Sequence, residues 1–194
     1  MLPTFLVIGM IAVVTVYLII IYNNLVALRE NIKKNWSNID VLLRQRHDEL
    51  PKLVDTVRQY MQYEQETLDK VMQARSAVHT AQSSGDIAGL GAAETQLRAG
   101  LGRIFAVAED YPDLKANESF QHLQARITSL EESIADRREF YNESVNNNNI
   151  RIEQAPDVFV ARWFGFEAAQ LLEFSEEETA DVDVGELFAD KATT

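Results

Sequence analysis

The chain opens with an apolar segment, residues 5–22, that contains no charged side chain. As an α-helix this segment would rise about 27 Å, close to the ~30 Å hydrocarbon thickness of a bilayer. A single segment satisfies its backbone hydrogen bonds in lipid only as a helix. No Lys or Arg precedes the segment and no cleavage site with small residues follows it, which disfavours a cleaved signal peptide. We therefore predict an uncleaved N-terminal transmembrane helix.

Beyond this span, apolar residues recur at intervals of seven through residues 25–83. This spacing is typical of a long, coiled-coil-like helix that packs against other helices. One row consists of Trp36, Leu43, Leu50 and Val57. Because Trp36 lies some 20 Å beyond the span, we expect its indole to pack between helices and not at the membrane surface. Pro51 lacks an N–H and crowds the carbonyl of residue 47, so we expect a kink or a junction of two helices there.

Two further long helices are predicted in the rest of the chain. The first covers 86–110 and is rich in Ala and Gly, which permits close approach of a packing partner. The second covers 117–154, where apolar residues alternate at three and four positions. A short helix follows Pro156, and no segment has the two-residue period of a strand.

The predicted fold class is therefore all-α. It comprises an N-terminal transmembrane helix followed by an antiparallel bundle of three long helices plus a short C-terminal helix. The predicted division is an N-terminal segment with the span (1–22), a helical domain (23–174) and an acidic disordered tail (175–194).

Charge is unevenly distributed along a chain whose formal net charge is -12. The stretch 29–46 is net positive, whereas acidic residues dominate from Glu167 onward. The positive-inside rule then predicts that the N-terminus lies outside and the domain lies in the cytoplasm. The basic residues beside the span also suit contact with anionic membrane lipids. The acidic domain disfavours nucleic-acid binding.

The sequence offers no recognisable catalytic, cofactor-binding or metal-binding set. There is no Cys, and His47, His79 and His122 lack the spacing of a helical metal site. We expect surface or half-buried imidazoles, and we predict that the protein is not an enzyme.

Three arginines lie within or beside the apolar stripes of the long helices: Arg46, Arg75 and Arg138. We expect them to pair across the bundle with Asp40, Glu109 or Glu132, because a buried ion pair specifies helix register. The alternative is that these charges face solvent.

The aromatic residues near the C-terminus, Phe159, Trp163, Phe164 and Phe166, allow two interpretations. In one, they fold back and cap the bundle. In the other, some stay exposed and contact another subunit, a protein partner or the membrane surface.

Over roughly 22–166 the chain resembles the LemA family. The matching positions are Tyr22 and Asn23 after the span; Trp36, Asp40, Arg46, Pro51, Tyr60 and Arg75 in the first long stretch; Tyr111, Pro112 and Phe120 before the last long helix; and Arg138, Tyr141 and Asn142 within it. The resemblance implies a membrane-anchored helical bundle with no agreed enzymatic activity. It also implies relatives encoded beside a membrane metalloprotease and one branch that shapes magnetosome membranes.

Two functions are compatible with these features. The leading hypothesis is a homo-oligomeric membrane scaffold or adaptor, which self-associates through its helical domain and shapes membranes. The other is a regulatory or substrate-presenting partner of a membrane protease or envelope-stress pathway, whose acidic tail docks a protein partner through apolar residues set among charges.

Overall fold

The computed structural model describes residues 2–61 and 63–174, and in this part of the chain every regular element is an α-helix. In order they are α1 (Leu2–Arg58), α2 (Gln65–Ser84), α3 (Ile87–Ala108), α4 (Pro112–Lys115), α5 (Glu118–Glu153) and α6 (Asp157–Phe164). The all-α prediction is confirmed. The acidic tail predicted over 175–194 lies outside the described residues.

Helix α1 is continuous from the apolar segment into the domain. Its first part is long and apolar enough to cross a membrane, with a mean hydropathy of 2.8, and its side chains there are exposed except for Ile21. The helix continues through Pro51, so of the two alternatives predicted there, a kink or a junction of two helices, the junction is wrong. The chain reverses instead between α1 and α2, and after α1 the Met61 N–H donates to the Val57 carbonyl at 2.9 Å. The first long stretch is therefore two antiparallel helices, α1 and α2.

The bundle consists of the second half of α1 together with α2, α3 and α5, each antiparallel to its sequence neighbour. Gly85, at φ 71°, ends α2, and the Asp86 side chain caps α3 by accepting from the Gly89 N–H at 2.9 Å. Asn117 caps α5 in the same way and also donates to the Tyr60 hydroxyl at 3.1 Å. With these caps, α3 and α5 each begin within one residue of the start predicted from the sequence.

The core lies along the predicted apolar rows. Leu43, Leu50 and Val57 are buried, and on α5 Phe120 and Tyr141 are buried opposite them. Trp36 is half-buried, with its ring 5.6 Å from that of Tyr141. The indole thus packs against α5, as expected, although its outer edge remains accessible.

Candidate membrane interface

Helix α6 packs against α1 at the end of the apolar span. Val160 and Ala161 are buried against Ile21 and Leu25, which form a small cluster separate from the main core. At the start of α6, Asp157 is buried and paired with Arg151 of α5. Gly165 ends the helix at φ 68°, a left-handed conformation that favours glycine. The span therefore leaves the bundle alongside α6.

The aromatic side chains of α6 that flank this contact with α1 are exposed. Phe159 is 71 % exposed, Trp163 85 % and Phe164 58 %. Together with Val160 and the span residues Thr15, Leu18, Ile19 and Tyr22 these side chains line an apolar groove, which we call the α6 groove. Large exposed aromatic side chains beside a membrane-spanning segment are suited to contact with lipid or with another apolar surface.

A column of aromatic rings links the α6 groove to the basic residues that follow the span. The Tyr22 ring lies 4.8 Å from that of Phe164 and 5.8 Å from that of Phe166. The Arg29 guanidinium lies 5.4 Å from the centre of the Phe166 ring. Of the four aromatic residues predicted as a contact surface, Phe159, Trp163 and Phe164 are therefore exposed, whereas Phe166 is half-buried within this column.

Residues 165–174 form an extended strap along α5. Asn149 donates to the Ala169 carbonyl and accepts from its N–H, both at 2.9 Å, and Asn142 does the same with Leu172 at 3.0 and 2.8 Å. The Tyr141 hydroxyl donates to the Gln170 carbonyl at 3.0 Å, and burial raises the pKa of that hydroxyl. The side-chain amides of α5 thus form the hydrogen bonds that the backbone N–H and carbonyl groups of an extended segment form with a neighbouring strand in a sheet.

The strap passes close to α3 at Gly91. A Cβ at this position would lie 2.0 Å from the Glu173 carbonyl oxygen, so only glycine permits this approach. Leu172 is buried in the main core, and Phe174 packs under the Arg138 guanidinium, 3.9 Å from its ring centre. Of the small residues predicted to allow close packing on α3, Gly91 therefore accommodates the chain's own strap. Gly100 accommodates Val71 of α2, whose side chain would lie 2.7 Å from a Cβ at that position.

Arg46 lies in the core, where its partners differ from those predicted. Its side chain is 1 % exposed and pairs with Glu94 of α3 and with Glu131 of α5, the latter at 2.6 Å. Arg98 contacts the second oxygen of Glu131 at 3.2 Å. Burial lowers the pKa of Arg46, but the charges of Glu94 and Glu131 outweigh it and raise that pKa above its ordinary value. Two cations and two carboxylates thus join three helices.

Two of the three carboxylates predicted as partners of the arginines make other contacts. Asp40 pairs with Arg44 at 2.8 Å and accepts from Gln82 at 2.6 Å, which joins α1 to α2. Glu109 pairs with Lys115 beside Tyr111 and Pro112, where the short α4 begins. The pairing of Arg46 with Asp40, Glu109 or Glu132 is therefore wrong, although a buried ion pair does connect the helices.

Arg75 compensates for the hydrogen bond that Pro51 removes. Because proline has no N–H, the His47 carbonyl loses its partner within the helix. The Arg75 Nε donates to this carbonyl at 2.9 Å, and its Nη2 lies 2.6 Å from the His47 Nε2. Since a guanidinium only donates, that imidazole nitrogen accepts and His47 is neutral. Burial, followed by the charges of Arg75 and His79, lowers the pKa of His47.

The remaining histidines form no metal site in the part of the chain that the structure describes. His79 stacks on His47 with a ring-centre distance of 4.9 Å, and His122 is exposed. Residues 2–61 and 63–174 contain no group of three His, Cys, Asp or Glu side chains placed to hold a metal ion.

Sequence reasoning missed three parts of this arrangement: the pairing of Glu94, the compensation of Pro51 by Arg75, and the strap. Glu94 is an isolated acidic residue in the Ala- and Gly-rich helix, and this isolation was the available signal. The signal for the strap was the seven-residue spacing of Asn142 and Asn149, which places two amides on the same face of the last long helix.

Comparison with known proteins finds relatives that align with most of the chain. The chain is 26 % identical over 186 residues to Magnetosome protein MamQ 2 of Paramagnetospirillum magneticum, an alignment that covers 84 % of this chain and 68 % of the relative. It is 24 % identical over 201 residues to Magnetosome protein MamQ of Magnetospirillum gryphiswaldense, covering 92 % and 73 %. It is 28 % identical over 167 residues to Protein LemA of Metamycoplasma hominis, covering 85 % and 74 %. The sequence pattern of the LemA family matches residues 35–185, and the chain therefore belongs to the LemA family.

Proposed function

We propose that this protein is a non-catalytic, homo-oligomeric scaffold or adaptor that shapes the bacterial inner membrane, with its N-terminus outside and its bundle in the cytoplasm. The observation that carries the proposal is the continuity of α1, a single helix that contains both the apolar span and one side of the bundle. The packing of α6 on Ile21 and Leu25 reinforces this junction on one side.

A rigid junction has a mechanical consequence for a self-associating protein. If bundles contact one another, the angle between them is transmitted to their spans, because no flexible linker absorbs it. A flexible linker would instead let each bundle tilt freely above a flat bilayer. The exposed aromatic face of α6 adds volume to one side of the membrane only, which also favours bending.

An engineered hinge tests this proposal. We suggest inserting a short Gly-Ser segment between Asn23 and Asn24, and placing the same insertion between Leu2 and Pro3 as a control. Analytical ultracentrifugation in detergent should find multimers for all three proteins. Electron microscopy of reconstituted vesicles should show reshaped membranes with the parent and the control but smooth spheres with the hinge variant. A monomeric parent, or equal reshaping by the hinge variant, would contradict the proposal.

The strap supports a second candidate, a regulatory or substrate-presenting partner of a membrane protease or envelope-stress pathway. The bundle already binds an extended peptide segment of its own through Tyr141, Asn142 and Asn149, which contact backbone groups. Backbone recognition of this kind accepts peptides of varied sequence. Deleting residues 175–194 distinguishes the candidates, because the partner function predicts loss of co-purifying protein, whereas the scaffold function predicts unchanged multimers and vesicle shapes.

A further inference from the structure

The α6 groove lies beside the membrane span at a definite depth. Its lining residues Thr15 and Tyr22 are seven positions apart on α1, which is about 10 Å along the helix axis. A leaflet contributes roughly half of the ~30 Å hydrocarbon thickness, so the groove covers the outer two-thirds of one leaflet. The Thr15 hydroxyl donates to the Ile11 carbonyl at 2.8 Å and therefore presents little polarity to the groove.

Two different helices form the walls of the groove. One wall is the span itself, and the other is the exposed face of α6 with Phe159, Trp163 and Phe164. A groove with a membrane-spanning wall faces the acyl chains of the surrounding lipid, provided that the span crosses the bilayer. Its occupant must therefore be apolar over about 10 Å.

A positive charge lies above the polar end of the groove. Tyr22 belongs both to the groove and to the aromatic column, and Arg29 covers Phe166 at the other end of that column. Arg29 follows Tyr22 by seven residues, which places it about 10 Å further from the bilayer centre on the same helix face. A phospholipid has the same arrangement, because its acyl chains lie toward the bilayer centre and its anionic headgroup lies further out.

The acidic residue nearest to Arg29 is already engaged. Glu30 lies 3.7 Å from the Arg29 Nε, but it accepts a shorter contact, 2.7 Å, from the Lys33 ammonium. Along residues 29–34 the charge remains net positive, because Arg29, Lys33 and Lys34 outnumber Glu30.

We propose that the α6 groove binds one acyl chain of an anionic phospholipid, whose phosphate is held by Arg29. The chain lies between α1 and α6 against Trp163 and Phe159, and the headgroup lies beside the Arg29–Phe166 pair. The site fixes one lipid at the junction of span and bundle. It requires neither self-association nor a protein partner.

Retention of lipid by the full-length protein tests the proposal. The protein is reconstituted in vesicles of phosphatidylcholine and phosphatidylglycerol in equal amounts, released into mild detergent and examined by native mass spectrometry. We expect one phospholipid per chain, with phosphatidylglycerol preferred about fivefold, the ratio that one cation near an anionic surface contributes at about 1 kcal/mol.

Two pairs of variants separate the acyl-chain contact from the headgroup contact. Thr15→Phe fills the groove and should abolish retention, whereas Val13→Phe on the opposite face of the span should retain lipid as the parent does. Arg29→Gln should retain one lipid but lose the preference for phosphatidylglycerol, whereas Lys34→Gln should keep it.

Other outcomes would overturn the proposal. Equal retention by the two Phe variants would show that the lipid does not occupy the groove. An unchanged headgroup preference in Arg29→Gln would remove the role of Arg29. A second copy of the chain in place of lipid, lost in Thr15→Phe, would identify the groove as a helix-packing site.

Discussion

Replacing Gly91 by Ala should release part of the strap from α3. The new Cβ would lie 2.0 Å from the Glu173 carbonyl oxygen, whereas ordinary contact begins near 3.4 Å. Because the obstructing atom belongs to backbone, the strap must move by more than 1 Å. The adjacent hydrogen bonds between Asn142 and Leu172, 2.8 and 3.0 Å long, would then lengthen beyond the usual range.

The same helix provides a matched control. A Cβ at Gly102 meets no atom within 4 Å, so Gly102→Ala gains only helix propensity, about 1 kcal/mol. Gly91→Ala gains the same amount but loses two hydrogen bonds worth about 1 kcal/mol each. It also exposes part of Leu172, which costs up to about 2 kcal/mol. We therefore expect Gly91→Ala to be less stable than Gly102→Ala by about 2–4 kcal/mol.

Urea unfolding of both full-length variants in detergent micelles, followed by circular dichroism, gives this difference directly. Hydrogen exchange at the Leu172 amide should also accelerate in Gly91→Ala and remain slow in Gly102→Ala. If the two variants are equally stable and protect this amide equally, the strap does not lie against α3 and the inference from the close approach is refuted.

Three further outcomes are expected. Arg46→Met leaves the buried carboxylate of Glu94 unpaired and should lower the free energy of unfolding by about 3–5 kcal/mol, as measured by urea unfolding. Arg75→Gln should destabilise the protein more in the parent than in a Pro51→Ala background, because alanine restores the N–H that the arginine replaces; additive costs in this double-mutant cycle would contradict that role. Since the pKa of His47 is lowered in the folded state, the stability it provides is present above about pH 6.5 and is lost as the pH falls below that value. The free energy of unfolding of the parent should therefore decrease between pH 8 and pH 5. This decrease should be absent in His47→Gln and present in His122→Gln.

Local pattern was sufficient for much of the fold. The charge-free segment predicted the span, and the apolar stripe that includes Phe120 and Tyr141 predicted α5, because both depend on side chains close in sequence. Pro51 shows where such reasoning fails. The donor that replaces the missing proline N–H at the His47 carbonyl is Arg75, twenty-four positions after Pro51, and no local rule identifies it.

The contacts of the candidate functional surfaces could not be predicted from local sequence for the same reason, because they join residues that are far apart in the chain. Arg46 was recognised as a buried cation, but its partners Glu94 and Glu131 lie on helices whose rotation the sequence did not specify. The strap has no periodicity, since an extended segment held by side-chain amides needs neither helical nor strand spacing. The exposed aromatic residues of α6 were identified from composition, whereas their position beside Leu18 and Ile19 depends on how α5 runs along α1.

The continuity of α1 also makes the protein a lever. From Tyr22 to Arg58 the helix extends about 54 Å beyond the span. Transmembrane helices tilt to match the thickness of the bilayer, and a change of about 10° would swing the far end of the bundle by about 9 Å. The end of α1, where Asn117 donates a hydrogen bond to the Tyr60 hydroxyl, lies at that far end. A difference of a few ångströms in membrane thickness would thus appear as a larger lateral displacement of a surface far from the lipid.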